Sequence, residues 1–220
     1  MNAAIWITCK LALVTTLVLL VLGTPLAWWL AQGRARHLRT LVEAAVALPL
    51  ILPPTVLGFY LLLLLAPDGA IGQFSQSGLA FSFTGLVIGS VIYSLPFVVQ
   101  PLAASFSQLE PRVLQLGRSQ GLNPFQLLRH IVLPATRHAF VMASALGFAH
   151  TVGEFGVVLM IGGNISGETQ VLSILLFDEV ETLNFAQAHR IAGGLLAASF
   201  ALLVLLYSWQ KKRGHTRVAI

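Results

Sequence analysis

The chain has 220 residues, 56% of them hydrophobic and only 10% charged, with a formal net charge of +5. Soluble domains carry about 25% charged residues, so a water-soluble fold is excluded and one helical domain in a lipid membrane is expected over 1–220. The positive residues sit in short runs between apolar blocks, not in a stripe interleaved with aromatics, which excludes nucleic acid as a partner.

The first apolar block, 11–31, is too long for a signal-peptide core and reads as a retained span. Cys9, just before it, is the single cysteine, so neither an internal disulfide nor a cysteine-based metal site is expected. Arg34, Arg36 and Arg39 follow. Thr40-Leu-Val-Glu43 then reads as a capping box that opens the second span, 41–65, with Glu43 near the positive end of the helix dipole. Inside that span, Leu52-Pro53-Pro54-Thr55 breaks the helix near mid-membrane. The backbone groups it frees must face protein or a water-filled path. Two readings stand for the break: a packing kink, or a pore-lining or gating element. The loop 67–82 is rich in Gly, Ser and Gln, as a solvated connection should be. The third span is 84–106.

The loop 107–138 carries Arg112, Arg118, Arg129 and Arg137. In its second half, "GLNPFQLLRHIVLPATRH", Gly121-x-x-Pro124 ends one short helix and starts the next, with Pro124 at a first helical position. Phe125, Leu127, Leu128, Ile131 and Leu133 supply an apolar surface, and Arg129 and His130 a wet one. Pro134 is expected to interrupt the helix before the chain re-enters the membrane. On pattern alone this is an interfacial connector lying along the membrane surface.

The fourth span, 139–161, contains His150 and Glu154, which share a helix face at i and i+4 and can pair. Ser144 and His150 fall about 120° apart around the helix, which excludes a Ser–His dyad. An acid inside a span is a functional-site hypothesis by default. For Glu154 the readings are a structural anchor, a gate element, or a contact at the outer rim. For His150 they are a hydrogen-bonded interior histidine or a proton relay. The segment 162–190 holds Glu168, Asp178, Glu179 and Glu181, read as a solvated outer face or as a contact for basic residues of a partner. Its apolar run 171–177 is too short to span and lies in the interface or dips back.

The fifth span, 191–209, is followed by Lys211, Lys212, Arg213 and Arg217. With five spans, eleven of the 13 Lys and Arg fall on one side. The positive-inside rule then places the N-terminus outside and the C-terminus inside. Trp6, Trp28, Trp29 and Trp209 all stand near span ends, as interfacial anchors do. No Gly-x-x-x-x-Gly-Lys-[Ser/Thr] loop occurs, so any ATP hydrolysis belongs to another subunit. No catalytic constellation, metal site or cofactor is expected.

The order of residues in the 107–138 loop adds a resemblance. "QLGRSQGLNPFQLLRHIVLP" resembles the cytoplasmic signature of ABC-importer permeases: Glu-Ala-Ala, three residues, Gly, nine residues, Ile-x-Leu-Pro. Gly121 is followed by nine residues and then Ile131-Val-Leu133-Pro134. Gln115, Leu116 and Gly117 stand where Glu-Ala-Ala is usual, so coupling here rests on helix shape and turn, not on a glutamate. The resemblance makes Gln115, Gly117, Arg118, Gly121, Pro124, Phe125, Ile131, Leu133 and Pro134 a coupling helix for a separate ATPase. "ALPLILPPTVLGFYLLLLLAPDGAIGQ" and "TVGEFGVVLMIGGNISGETQVLSILLFDEVE" are similar to molybdate permeases, with sulfate or tungstate permeases as the alternative. What this resemblance implies is a homodimer in a bacterial inner membrane, with two ATPase subunits below and a periplasmic molybdate-binding protein above. The pore would be lined by the second span, the third span and the helix ending at Met160, with Leu52, Pro53, Pro54, Thr55, His150 and Glu154 as pore or gate candidates. Glu168, Asp178, Glu179 and Glu181 are the candidates for contact with the binding protein. A secondary transporter should show internal repeats, and none is visible. A non-transporting scaffold would have no need of the Gly-to-Ile spacing.

Overall fold

A computed structural model of the chain describes residues 1–33, 35–75 and 78–214, with side chains described as far as Ser208. Arg34 and Arg217, the side chains of Trp209, Lys211, Lys212 and Arg213, and Gln76 and Ser77 of the 67–82 loop lie outside the described residues. Among the described residues every regular element is helical.

Helix α1 (Asn2–Gln32) is 31 residues long and starts well before the predicted residue 11. At 1.5 Å per residue it reaches about 46 Å, more than the roughly 30 Å hydrocarbon core. Two of its buried threonines are reconciled with lipid by their own backbone: Thr8 and Thr16 donate to the carbonyls of Ala4 and Ala12 at 2.8 and 2.7 Å. This back-bonding leaves no hydroxyl facing hydrocarbon unpaired at those positions.

Helices α2 (Arg36–Ile51) and α3 (Pro54–Leu65) replace a single second span, and their axes meet at 113°. Leu52 and Pro53 take extended backbone angles, and Pro54 starts α3 where a missing N–H is harmless. The capping box predicted at Thr40–Glu43 is not formed. Helix α2 already begins at Arg36, so Thr40 donates instead to the Arg36 carbonyl at 3.1 Å. Glu43 pairs with Arg39 at 3.0 Å.

Helix α4 (Phe83–Ser107) is capped by the Ser82 hydroxyl, which accepts from the Gly85 N–H at 3.1 Å. Then come α5 (Pro111–Ser119), the short α6 (Pro124–Leu127), a π-turn (Leu128–Val132) and α7 (Leu133–Gly153). From Pro124 to Gly153 the helix runs without interruption. Pro134 therefore does not break the chain as predicted. The π-turn is why: the Leu133 N–H bonds the Leu128 carbonyl, one residue further back than in an α-helix. The widened turn relieves the clash a proline makes with the carbonyl four residues earlier.

After a two-residue break the chain continues as α8 (Gly156–Gly162), α9 (Leu172–Glu181) and α10 (Phe185–Gly214). Among the described residues four helices are long and apolar enough to cross a membrane, and the bent α2–α3 pair, taken as one broken span, makes a fifth. The chain is a multi-pass, all-α membrane protein.

Helices α1, α4 and α7 form the central bundle, and small residues set their spacing. A Cβ on Gly147 of α7 would stand 2.8 Å from a Val98 methyl of α4, and one on Gly23 of α1 would stand 3.3 Å from a Val99 methyl. Without a hydrophobic drive between helices in lipid, such close backbone approach is what binds them. Trp28 and Phe106 meet edge-on at 5.4 Å and fasten the far end of the α1–α4 pair. A second core joins Ile7, Leu11, Leu61, Leu86, Val157 and Ile161 where α3 and α8 pack on the bundle. Helix α9 dips back onto this core: its Leu172 N–H donates to Thr8 Oγ1 of α1 at 2.8 Å, and Ile174 is fully buried.

Candidate functional site

Two helix breaks meet at one place. The break between α2 and α3 and the break between α7 and α8 line the same cavity of about 450 Å³, with Pro54 and Thr55 on one wall and Glu154, Phe155 and Gly156 on another. Tyr93 of α4 and His150 of α7 complete the polar part of the lining. The contact is close because residue 156 is glycine: a Cβ there would stand 2.8 Å from the Pro54 Cβ. One turn on, a Cβ on Gly58 would stand 2.8 Å from the Met160 Cβ. Helices α3 and α8 thus run side by side in the same direction, both starting at the cavity. The first N–H groups of such half-helices lack intrahelical partners and carry positive partial charge.

Glu154 sits in the second break with extended backbone angles, at the C-cap of α7. It is only 3% exposed, and neither carboxylate oxygen has a hydrogen-bond partner among the described residues. The Ser90 hydroxyl of α4, fully buried, lies within reach of it, and its Oγ likewise meets no partner at full hydrogen-bond geometry. Buried polar atoms left unpaired cost about 1–3 kcal/mol each. The adjoining cavity is large enough to bring water to them. Only the backbone of Glu154 is fastened, its carbonyl accepting from Ser173 Oγ at 2.5 Å.

The predicted pairing of His150 with Glu154 is not made. The helix ends at Gly153, so the i, i+4 relation fails, and His150 turns to α4 instead. Its Nδ1 lies 2.8 Å from Ser94 Oγ, and its ring stacks on Phe97 at 3.9 Å and tilts against Tyr93 at 4.8 Å. Ser94 also meets Thr151 Oγ1 at 3.2 Å. Ser90, Tyr93, Ser94 and Phe97 were missed from the sequence. Their signal was there: two serines and two aromatics, each pair four apart, on one stretch of an apolar helix.

Of the remaining candidates at this break, Pro53 and Thr55 are exposed, and Leu52 and Pro54 are half-buried. Outside it, the four acids of 162–190 separate into two kinds. Asp178 is occupied within the chain: Asn164 donates to both of its oxygens at 3.0 and 2.9 Å, and Gln170 adds a bond at 3.1 Å. Glu179 accepts from Asn184 at 2.6 Å. Glu168 and Glu181 are exposed. The string Asn164-Ile-Ser-Gly-Glu-Thr169 is a folded clasp, with Thr169 Oγ1 donating to the Gly162 carbonyl at 2.6 Å and accepting from the Ile165 N–H at 3.0 Å. Gly163, Asn164 and Gly167 take positive φ there.

At the opposite end, α5, the Gly121 turn and α6 form a compact element. Gly121 has φ +80° with nothing near its Cα hydrogens, so backbone angle and not crowding demands glycine. Asn123 caps α6: its side chain accepts from the Gln126 N–H at 2.8 Å, while the Gln126 side chain accepts from the Asn123 N–H at 3.0 Å. Pro124 is the first helical residue. Gly117 is buried, and a Cβ there would stand 2.7 Å from methyls of Leu127 and Ile131, so these residues hold α5 against the π-turn. Gln115 is exposed, as are Leu116 at 62% and Phe125 at 67%. Leu133 and Pro134 begin α7 with their side chains outward. Arg118 faces back toward α1, lining a separate cavity with Pro25 and Trp28.

Comparison with known proteins accounts for this arrangement. The family model described as "Binding-protein-dependent transport system inner membrane component" matches residues 23–211. The chain is 52% identical over 210 residues to the molybdenum transport system permease protein ModB of Azotobacter vinelandii, covering 94% of this chain and 92% of that one. It is 33% identical over 216 residues to the sulfate transport system permease protein CysT of Salmonella typhimurium, covering 97% of this chain and 78% of that one. The fold matches the crystal structure of a bacterial ABC transporter involved in the import of the acidic polysaccharide alginate. There the TM-score is 0.72 at 16% identity, over all of this chain and 80% of that one. With a bilayer-length helical bundle, two apposed helix breaks and a glycine-hinged helix pair at one end, the chain belongs to the family of inner membrane components of binding-protein-dependent transport systems.

Proposed function

We propose that this chain is the permease subunit of an ATP-driven importer that carries molybdate across the bacterial inner membrane. Two copies would form the pore on a two-fold axis, two separate ATPase subunits would dock on the α5–α6 side, and a periplasmic binding protein would deliver the oxyanion on the α9 side. The observation that carries the coupling role is the α5–α6 element itself. It is rigid at the Gly121 turn and the Asn123 cap, yet it presents Leu116 and Phe125 to solvent. Large exposed apolar side chains on a preformed helical element are what a docking anchor requires.

The path for the anion is the cavity between the two breaks. Its support is the pairing of α3 and α8, whose starts face it, together with Thr55, Tyr93 and His150 on its wall. Broken helices of transport proteins lie where irregular backbone borders a water-filled route. Glu154 serves there as a buried structural and gating residue, not as an anion ligand. Glu168 and Glu181 remain for contact with the binding protein, because Asp178 and Glu179 are already bonded within the chain. The second copy has an available face: α2 buries only Val46 and Pro49, leaving Leu41 and Ile51 among its exposed side chains.

Molybdate is favoured over sulfate by the higher identity to the molybdenum permease, 52% against 33% for the sulfate permease. The experiment is uptake of labelled molybdate into proteoliposomes holding the assembled transporter, ATP and the binding protein. Molybdate should accumulate and excess sulfate should not compete. Sulfate accumulating in its place would move the chain to the sulfate reading.

A further inference from the structure

A second cavity, of about 470 Å³, lies between α1 and the α5–α6 element, apart from the path just described. Its volume is in the range of small-ligand pockets, about 300–1,000 Å³. Pro25 and Trp28 form its α1 wall, and Leu127, Leu128 and Val132 form the other. Thr24 adds no free donor, since its hydroxyl is bonded to the Leu20 carbonyl at 2.5 Å. One charged residue lines this apolar trough, Arg118, whose side chain is exposed. Arg118 has no carboxylate partner: among the described residues the one ion pair is Arg39 with Glu43.

We infer that this cavity binds one anionic phospholipid, with its phosphate on Arg118 and an acyl chain along Pro25, Trp28 and Leu128. Each simpler occupant meets only half of the site. Water or inorganic phosphate would satisfy the guanidinium and leave the trough wetted, and an uncharged apolar segment would fill the trough and leave the guanidinium unpaired. An anionic amphiphile meets both, and guanidinium–phosphate pairing supplies its strongest contact. Position agrees. Trp28 is a boundary aromatic of the kind that anchors at head-group level. The α5–α7 segment carries Arg112, Arg129 and Arg137 beside Arg118, on the side where anionic lipid draws basic residues toward the membrane. A lipid there ties the Pro25 region of α1 to the coupling element. The site requires the inward orientation of that element, as in the proposed function, but not the transported substrate, so lipid retention and oxyanion transport can fail separately.

The experiment is native mass spectrometry of the detergent-purified permease–ATPase complex, incubated with phosphatidylglycerol, phosphatidylcholine or inorganic phosphate. Both lipids carry the phosphate, but the choline ammonium of phosphatidylcholine offsets its charge, so wild type should retain phosphatidylglycerol over phosphatidylcholine by about fivefold, the preference one basic residue gives for net anionic lipid. Arg118→Gln should remove the preference for phosphatidylglycerol, in the isolated permease as in the complex, and Leu128→Trp should lower retention of both lipids by filling the trough. Inorganic phosphate in excess should displace neither. Equal retention of the two lipids by wild type, unchanged retention in Arg118→Gln, or displacement by phosphate alone would overturn the site. So would lipid bound to the isolated permease but lost in the complex, which would give the trough to the ATPase. Arg118→Gln alters an exposed side chain, so the test stands even if Leu128→Trp does not fold.

Discussion

Gly156 and Pro54 touch: there is no room between them for a single methyl group, since a Cβ on Gly156 would stand 2.8 Å from the Pro54 Cβ. Two helix breaks just over a hundred residues apart in sequence are thereby locked into one structural feature. Neither break alone makes a path across the membrane. Together they bring the starts of α3 and α8 to a common cavity.

Gly156→Val should therefore force α8 away from α3. Overpacking at a tight contact costs about 1–3 kcal/mol, and here the strain falls on the transport path. Uptake is expected to fall at least tenfold while the amount of protein in the membrane stays near wild type. Gly153→Ala, where a Cβ meets nothing within 4 Å, should transport normally. Equal loss in both variants would separate the glycine requirement from the contact with Pro54.

The His150–Ser94 bond fastens α7 to α4 beside the same cavity. Hydrogen bonds between helices in membranes average about 0.6 kcal/mol by double-mutant cycles. Ser94→Ala and His150→Ala should each lower the unfolding midpoint in detergent, His150→Ala more because it also removes the stack on Phe97. Their combination should be less than additive by about that coupling energy. Strict additivity would show that the bond contributes nothing.

The acids on the α9 side should respond differently from one another. Asp178→Ala removes the acceptor of the half-buried Asn164 and Gln170 amides and should lower stability by about 1 kcal/mol, as loss of an ordinary hydrogen bond does. Glu168→Gln and Glu181→Gln should leave stability unchanged and weaken stimulation by the binding protein, most at low salt, as rim charges do. Thermal unfolding and salt-dependent ATPase titrations distinguish the two patterns. A stable Asp178→Ala that loses stimulation would make Asp178 a docking residue after all.

On the coupling side, Phe125→Ala removes the most exposed large apolar side chain of α6 and should release the ATPase subunit by one to two orders of magnitude in affinity, about 1.4–2.8 kcal/mol. Asn123→Ala loses a helix cap worth about 1 kcal/mol and should weaken coupling without abolishing it. Co-purification of permease and ATPase reads both. Full retention of the ATPase by Phe125→Ala would place the docking surface elsewhere on the element.

Much of this was legible from residue order. Block length and the positions of Lys and Arg predict a multi-pass helical protein, and Gly121-x-x-Pro124 predicts the hinged helix pair. What was not legible depends on contacts distant in sequence. Pro134 reads as a breaker until the π-turn before it is seen to absorb the clash, and a π-turn has no strong residue signature. The helix periodicity that pairs His150 with Glu154 assumes a helix through residue 154, whereas the packing of α8 on α3 ends α7 at Gly153. Thr40–Glu43 has the letters of a capping box, yet α2 starts four residues earlier. The Pro53–Pro54 break was visible, but its partner at Glu154–Phe155 carries no proline, and only Gly153 and Gly156 flank it.

The most direct test of the account is ATP hydrolysis by the assembled transporter in proteoliposomes, measured with the binding protein empty, loaded with molybdate or loaded with sulfate, for wild type and for Gly121→Pro. Wild type should be stimulated by the molybdate-loaded protein alone. Gly121→Pro should assemble in the membrane but show no stimulation, because proline cannot adopt the positive φ of that turn. Stimulation of Gly121→Pro to the wild-type level, or of wild type by sulfate and not by molybdate, would contradict it.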